Sequence, residues 1–465
     1  MSHTVPDWYR NAKLGIMIHW GLPSIPAFAP AEGGISELLA AHDWPYYFRN
    51  NPYAEWYQNS LRIADSPARA YHRKRFNRFF PYQRLAKRFN DELEKWDPGE
   101  WGDFFREVGA RYVVMVSKHH DGFLMWPSTS PPVVDDYVAS RDVVGELGEA
   151  VREKGLRYGV YYSGLLDWTV QTEPLRDFPD LLTAPTDDAY EAYVLAHFTE
   201  LIERYRPDIL WNDIGLPAGI SRKKLFHDYR SAVPAGVVND RWQQVRPFIN
   251  RWLNKPVIAR RVSKAARKMI LAGEPTGRHG DVSTIEYPRS AKLREKPWEA
   301  VRSVGNSFCY NEQEPPEAYL SGDELISMVA DVVSKNGNLL INVGPKLDGT
   351  IPREQRGPLL ELARWLRVNG PAIYGTRPWH VAEGSTGDNI AVRFTTRPDT
   401  LFAIVEKERE MKAGGFQILG GDDAVAQAGA GLMGMAAPEF FPVADGPLGG
   451  AGGVSGGGEQ LVGLQ

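Results

Sequence analysis

The stretch RYVVMVSKHHDGF, residues 111–123, sets an unbroken apolar run directly before two histidines, an aspartate and a glycine. A strand buried on both faces reads as a continuous apolar run, whereas a strand with one wet face alternates. This run therefore predicts a strand of a parallel sheet, with its polar residues at the end where the chain turns away. The pattern recurs in KLGIMIHWG (13–21), LRYGVYYSG (156–164), PDILWND (207–213), AGVVND (235–240), DVSTIEY (281–287), GNSFCYN (305–311) and GNLLINVGP (337–345). Helical patterns fall between, as in 142–155, 190–205 and 323–336. Eight apolar strands alternating with amphipathic helices predict an α/β fold, a TIM-like (β/α)8 barrel over residues 1–370. A doubly wound open sheet is the alternative, but no G-x-G-x-x-G follows the first strand.

The pattern changes after YGTRPWHV (374–381). NIAVRFTT and TLFAIVEKE alternate around a turn at Arg397-Pro398-Asp399 and predict a small all-β, sandwich-like C-terminal domain over 371–445. Residues 446–465 open with a glycine-rich run that predicts a flexible tail. A further segment, 243–280, carries nine Lys/Arg and one acidic residue, with apolar positions spaced like one helix face. It reads as a solvated helical insert between the strand ends that carry Arg241 and Glu286, with an anionic ligand or a membrane surface as the other readings of such a face.

The chain has 465 residues, 43% of them apolar and 24% charged, enough to bury a large core. A net charge of −4 gives no reason to expect nucleic acid. Fourteen tryptophans supply flat apolar faces of the kind sugars stack on, although a large core accounts for most of them. Cys309 is the one cysteine, so no internal disulfide or cysteine metal site can form, and a reducing, cytoplasmic location is expected. The apolar stretch near the N-terminus is broken by His19, Trp20 and Gly21 and reads as the first strand, not a signal peptide. No apolar run reaches membrane-spanning length.

In a barrel of this kind the active site lies at the C-terminal ends of the strands. Those ends carry His19 and Trp20; His119 and His120; Tyr161; Trp211, Asn212 and Asp213; Asn239, Asp240 and Arg241; Glu286; and Phe308. Carboxylates at the ends of buried strands are costly unless partnered or functional. Asp213 and Glu286 are therefore candidates for a glycosidase pair acting from opposite sides of an anomeric carbon. The competing readings are a helix N-cap for Asp213 and an ion pair with Arg241 for Glu286. Glu299, in KPWEAVRS, is a rival acid that reads as the start of a helical turn. A metal reading of His119, His120 and Asp121 lacks third and fourth ligands at any regular spacing. Neutral imidazoles can instead exchange hydrogen bonds with sugar hydroxyls.

GIMIHWG, YAEWY (53–57), SKHHDGF, GVYYSGLLDW, LWND, VNDRW, PWE, DVVSKNGNLLINVGPKLDGTIP and AIYGTRPW together resemble the α-L-fucosidases, glycoside hydrolase family 29. The resemblance runs from about residue 7 to 379. It implies a retaining hydrolase that releases terminal α-L-fucosyl residues from oligosaccharides or glycoconjugates through a covalent β-fucosyl-enzyme, without cofactor or metal. The nucleophile falls on Asp213 and the acid/base on Glu286. The sugar contacts fall on His19, Glu55, Trp56, His119, His120, Tyr161 and Arg241, and Tyr53, Trp211 and Phe308 fall on aromatics enclosing the ring and its C5 methyl. Met17 stands where better-known bacterial members carry an aromatic, and the placement of the acid/base crosses the basic insert. A hydrolase for a related sugar such as α-L-galactose, and an inactive carbohydrate-binding protein, are the alternatives.

Overall fold

The computed structural model describes residues 4–405 apart from 184–186, 246–251, 254, 276, 278, 289–291 and 387–389, and four short strands beyond. Eight parallel strands form the main sheet: β1 (Leu14–Ile18), β2 (Tyr112–Lys118), β3 (Arg157–Ser163), β4 (Ile209–Asp213), β5 (Val237–Val238), β6 (Ser283–Glu286), β7 (Trp298–Ser303) and β8 (Gly337–Val343). Their order is β5-β4-β3-β2-β1-β8-β7-β6, each strand beside its neighbour in sequence except where β1 meets β8. Ile16 of β1 pairs with Val113 on one side and Ile341 on the other. β1, β2, β4 and β8 are buried along their whole length, which is what their unbroken apolar runs require.

β5 and β6 are joined differently. Val238 O accepts from Asp281 N at 2.9 Å, and Val238 N donates to Asp281 Oδ2 at 3.0 Å. Thr284 donates to Asp240 Oδ1 from its amide at 3.1 Å and its hydroxyl at 2.8 Å. Side-chain carboxylates thus take up strand donors along this seam, and the basic insert leaves the barrel there.

One expected strand is corrected. GNSFCYN forms bends, and the seventh strand is Trp298–Ser303 instead. The amides of Asn306 and Ser307 donate to Glu314 Oε1 at 3.1 and 2.6 Å, and Phe308 O accepts from Asn342 Nδ2 at 2.7 Å. With side chains satisfying its backbone, this segment has no need of a ladder. PWEAVRS starts behind a proline, which a strand tolerates at its edge or first residue, and continues with a Trp and a Val that favour a pleated surface.

The described part of the insert contains a helix, Pro256–Leu271. It is pinned to the loops that follow β1 and β3: Trp44 Nε1 donates to Ser263 O at 2.9 Å, and Ser263 Oγ to Asp177 Oδ1 at 2.9 Å. Arg260, Arg261, Lys264 and Lys268 lie on its exposed face.

Past the helix Arg353–Asn369 the chain enters an antiparallel sheet of β9 (Arg377–Ser385), β10 (Ala391–Arg397) and β11 (Thr400–Val405). Val392, Phe394, Leu401 and Ala403 form its small core. Strands Phe416–Gly420, Ala424–Ala428, Phe440–Ala444 and Gln460–Leu464 extend the sheet. Of the expected flexible tail, 446–459 lies outside the described residues. Its last strand, Gln460–Leu464, pairs parallel to Thr400–Val405, where glycines give way to an apolar pattern. No described helix is long and apolar enough to cross a membrane.

Candidate active site

The strand ends converge on one point. His19 follows β1, and His119 and His120 follow β2, with ring centroids 5.4 Å apart for His19–His119 and 4.0 Å for His119–His120. Tyr161, on β3, lies parallel to His119 at 5.6 Å and to Trp211 of β4 at 5.3 Å. Asp213 ends β4, Glu286 ends β6, and Arg241 stands between them. The loop between β1 and β2 brings in Tyr53, Glu55 and Trp56 on one buried 3-10 turn. Trp56 meets His120 edge-on at 5.2 Å, and Tyr53 meets Phe308 at 5.6 Å. Phe308, in the loop after β7, packs on His19 at 5.0 Å. The residues expected as nucleophile, acid/base and sugar contacts thus lie in this one cluster, whereas Trp20 turns into the core against Phe89, Trp96 and Trp101, Asn212 and Asn239 bond across their two strands, and Asp240 accepts from Thr284.

Arg241 organises the charge. Its Nη1 donates to Asp213 Oδ1 at 2.9 Å and to Glu286 Oε1 at 2.6 Å, its Nε donates to Thr284 Oγ1 at 3.0 Å, and its guanidinium sits 4.8 Å from the centre of the Trp211 ring. Asp213 also accepts from the Tyr161 hydroxyl at 2.7 Å and from Ile214 N at 2.9 Å. Burial pushes the Asp213 carboxyl up, but the Arg241 charge and the bonds from Tyr161 and Arg241 outweigh it and hold it below the usual carboxylate range. Asp213 is not a helix cap: the next helix starts at Arg222 and is capped by Ser221.

Burial disfavours the charged form of all three imidazoles. Burial lowers His19 to about 4 and pushes His119 and His120 well below their usual value. Glu55 accepts from Cys309 N at 2.9 Å, and burial raises it from the usual 4.5 to about 8. Both strand-end carboxylates precede a sharp bend, with left-handed φ values of 63° at Ile214 and 46° at Tyr287. Such backbone costs about 1–3 kcal/mol per residue and concentrates at functional sites. Gly122 has φ of 78°, and a Cβ there would lie 2.4 Å from Asp167 Oδ1. Asp167 in turn pairs with buried Lys118 at 3.2 Å, so only glycine lets the chain leave the two histidines along this path.

A family model described as alpha-L-fucosidase matches residues 1–371. The chain belongs to the α-L-fucosidase family. It is 30% identical to the Dictyostelium discoideum alpha-L-fucosidase over 404 residues, 82% of this chain and 74% of that one. It is 29% identical to the human tissue alpha-L-fucosidase, covering 87% of this chain and 76% of that one. The crystal structure of the Thermotoga maritima alpha-fucosidase with a mechanism-based inhibitor superposes with a TM-score of 0.72 at 38% identity, covering 96% of this chain and 87% of that chain. The protein is a fucosidase, a glycoside hydrolase on a TIM-like barrel.

Within this fucosidase the rival acid, Glu299, is displaced. It is the second residue of β7, at the opposite end of the barrel from the rim, and is no part of a helical turn. Its Oε1 accepts from Tyr9 and Tyr112 hydroxyls at 2.7 and 2.8 Å, and its Oε2 from Trp211 Nε1 at 3.0 Å. Sequence reasoning missed Ser163 and Asn342, which bond His120 and His19 at 2.7 Å each. The signal was available, since both are polar residues near the ends of otherwise apolar strands.

Proposed function

We propose that the fucosidase works with retention of configuration, Asp213 being the nucleophile and Glu286 the acid/base. One nitrogen carries this reading: Asp213 Oδ1 and Glu286 Oε1 lie 2.9 and 2.6 Å from the same Arg241 Nη1, so these oxygens are at most 5.5 Å apart. Retaining glycosidases hold their carboxyl groups about 5–5.5 Å apart, while inverting ones leave about 6.5–9.5 Å for a water. The environments divide the roles. Asp213 is the more buried side chain, 11% exposed, and its donors keep it charged for attack. Glu286 is 28% exposed and meets solvent, from which it can draw the proton it delivers.

In the first step Asp213 attacks the anomeric carbon as Glu286 gives its proton to the departing glycosidic oxygen, forming a β-fucosyl-enzyme. In the second, Glu286 takes a proton from water, the water oxygen displaces Asp213, and the α configuration returns. His19, Glu55, Trp56, His119, His120, Tyr161 and Arg241 bind the sugar, and Tyr53, Trp211 and Phe308, with Met17 in the same apolar cluster, enclose its ring and C5 methyl. The substrate is a fucosylated oligosaccharide or glycoconjugate.

Azide tests the assignment. In Asp213→Ala, azide replaces the nucleophile and gives β-fucosyl azide from an activated fucoside. In Glu286→Ala, azide intercepts the covalent intermediate and gives α-fucosyl azide. Reversed products would exchange the two roles, and α-azide from Glu55→Ala with a near-normal Glu286→Ala would move the acid/base to Glu55.

A further inference from the structure

The three clustered histidines are chemically alike but differently held. We propose that Ser163 and Asn342 are positioning residues that fix the tautomers of His120 and His19, so that each presents a bare Nε2 and accepts a hydrogen bond from a sugar hydroxyl. The proposal rests on the reading of this cluster as the fucose site.

Carbonyl oxygens decide where the protons lie, because they can only accept. Ser163 Oγ lies 2.8 Å from Leu166 O and must donate to it. The Ser163 hydroxyl has no second proton, so at 2.7 Å from His120 Nδ1 it can only accept, and the proton of that bond sits on Nδ1. Asn342 is read the same way. Its Nδ2 lies 2.7 Å from Phe308 O, which fixes the orientation of the amide. Its Oδ1 therefore faces His19 Nδ1 at 2.7 Å and accepts from it. A neutral imidazole carries one proton, so with Nδ1 protonated each Nε2 is a lone pair.

The surroundings agree. His120 Nε2 faces Asp213 Oδ2 at 3.8 Å, and that oxygen already accepts the Tyr161 hydroxyl. An imidazolium–carboxylate pair would be one way to fill the gap, but burial and the Lys118 and Arg241 charges oppose a second proton on His120. Two lone pairs facing each other at 3.8 Å repel, and a sugar hydroxyl set beside the pair relieves this by donating its proton to Nε2. His119 differs. Its Nδ1 is buried without a described partner, and a buried orphan lone pair is tolerated better than a buried orphan N–H. Its proton belongs on Nε2, making it a donor between two acceptors. A pocket with this pattern distinguishes hydroxyl groups that can donate from groups of similar size that cannot.

Long-range proton–nitrogen NMR correlation on the full enzyme with 15N-labelled histidine reads the tautomers directly, with the signals assigned from His19→Gln, His119→Gln and His120→Gln. His19 and His120 should show protonated Nδ1, and His119 protonated Nε2. Ser163→Ala should alter the His120 tautomer alone and lower kcat/KM on 4-nitrophenyl α-L-fucoside about tenfold, with Ser163→Thr, which keeps the hydroxyl, recovering both. Inhibition by 2-, 3- and 4-deoxyfluoro-L-fucose supplies a check without mutation: fluorine cannot donate, so at least two of the three should inhibit about tenfold more weakly than L-fucose. Protonated Nε2 on His19 or His120, or equal inhibition by all four sugars, would overturn the proposal.

Discussion

Asp213 and Glu299 are two buried carboxylates in one barrel, with Trp211 between them, and they are kept in opposite ways. Asp213 lies at the C-terminal end of its strand, bonded to a guanidinium and a tyrosine hydroxyl, and is held below the usual carboxylate range. Glu299 lies at the N-terminal end of its strand among two tyrosine hydroxyls and an indole, all neutral, and burial raises it. A charged donor can outweigh desolvation, whereas neutral donors of ordinary strength do not. The rim carboxylate is therefore kept charged. The interior one anchors the Trp211 indole, whose ring lies 4.8 Å from the Arg241 guanidinium.

The sharpest way to break this contrast is to remove each carboxylate in turn. Asp213→Ala should lower kcat on aryl fucosides by about 10⁴-fold or more, the range for loss of a nucleophile, with little change in Tm. A residual rate within tenfold of the wild type would place the nucleophile elsewhere. Glu286→Ala comes next. It should lose about 10²–10⁴-fold on alkyl fucosides, which need protonation of the leaving group, and far less on 2,4-dinitrophenyl fucoside. Equal losses on both substrates would remove Glu286 from the acid role.

Glu299→Leu should have the reverse signature. It strands three buried donors, at about 1–3 kcal/mol for each that finds no new partner. Calorimetry should show a drop in Tm of several degrees, while the kcat of the folded enzyme, assayed well below that temperature, stays within a few-fold. A collapse in kcat with unchanged Tm would make Glu299 part of the chemistry.

The smallest effect is in pH dependence. Burial raises the Glu299 carboxyl in the folded protein, so the stability linked to it is full below the ordinary value of 4.5. That stability is lost as pH rises through the folded value. Glu299→Gln cannot ionise. Its amide meets the Trp211 N–H less well, so Tm falls overall, but Tm should decline less steeply from pH 4.5 upward than in the wild type. Asp213 has the opposite sign: its contribution is present above the unfolded value and is lost only as pH falls through its lowered folded value. Parallel Tm profiles for wild type and Glu299→Gln would show that Glu299 does not titrate as its surroundings require.

Much of the site was legible in the sequence because a buried parallel strand has a simple grammar. Apolar residues fill the interior, so a polar residue at the end of the run is either partnered or functional, and His19, His119, Asp213 and Glu286 all stood out on that ground. Local pattern also fixed seven of the eight barrel strands and, through ordered motifs, the family. It failed at GNSFCYN, whose backbone is satisfied by the side chains of Glu314 and Asn342. It failed at Glu299 as well, where the placement of a strand start decides which end of the barrel a carboxylate occupies. Tertiary structure alone decided the sharing of one Arg241 nitrogen by two carboxylates, the seam between β5 and β6, and the partners that set the histidine protons. Arg241 is 28 residues from Asp213 and 45 from Glu286, and Asn342 is 323 from His19. No local periodicity spans such separations. A hydrogen bond must be placed to within a few tenths of an ångström, and only the assembled sheet with its packed loops imposes that precision.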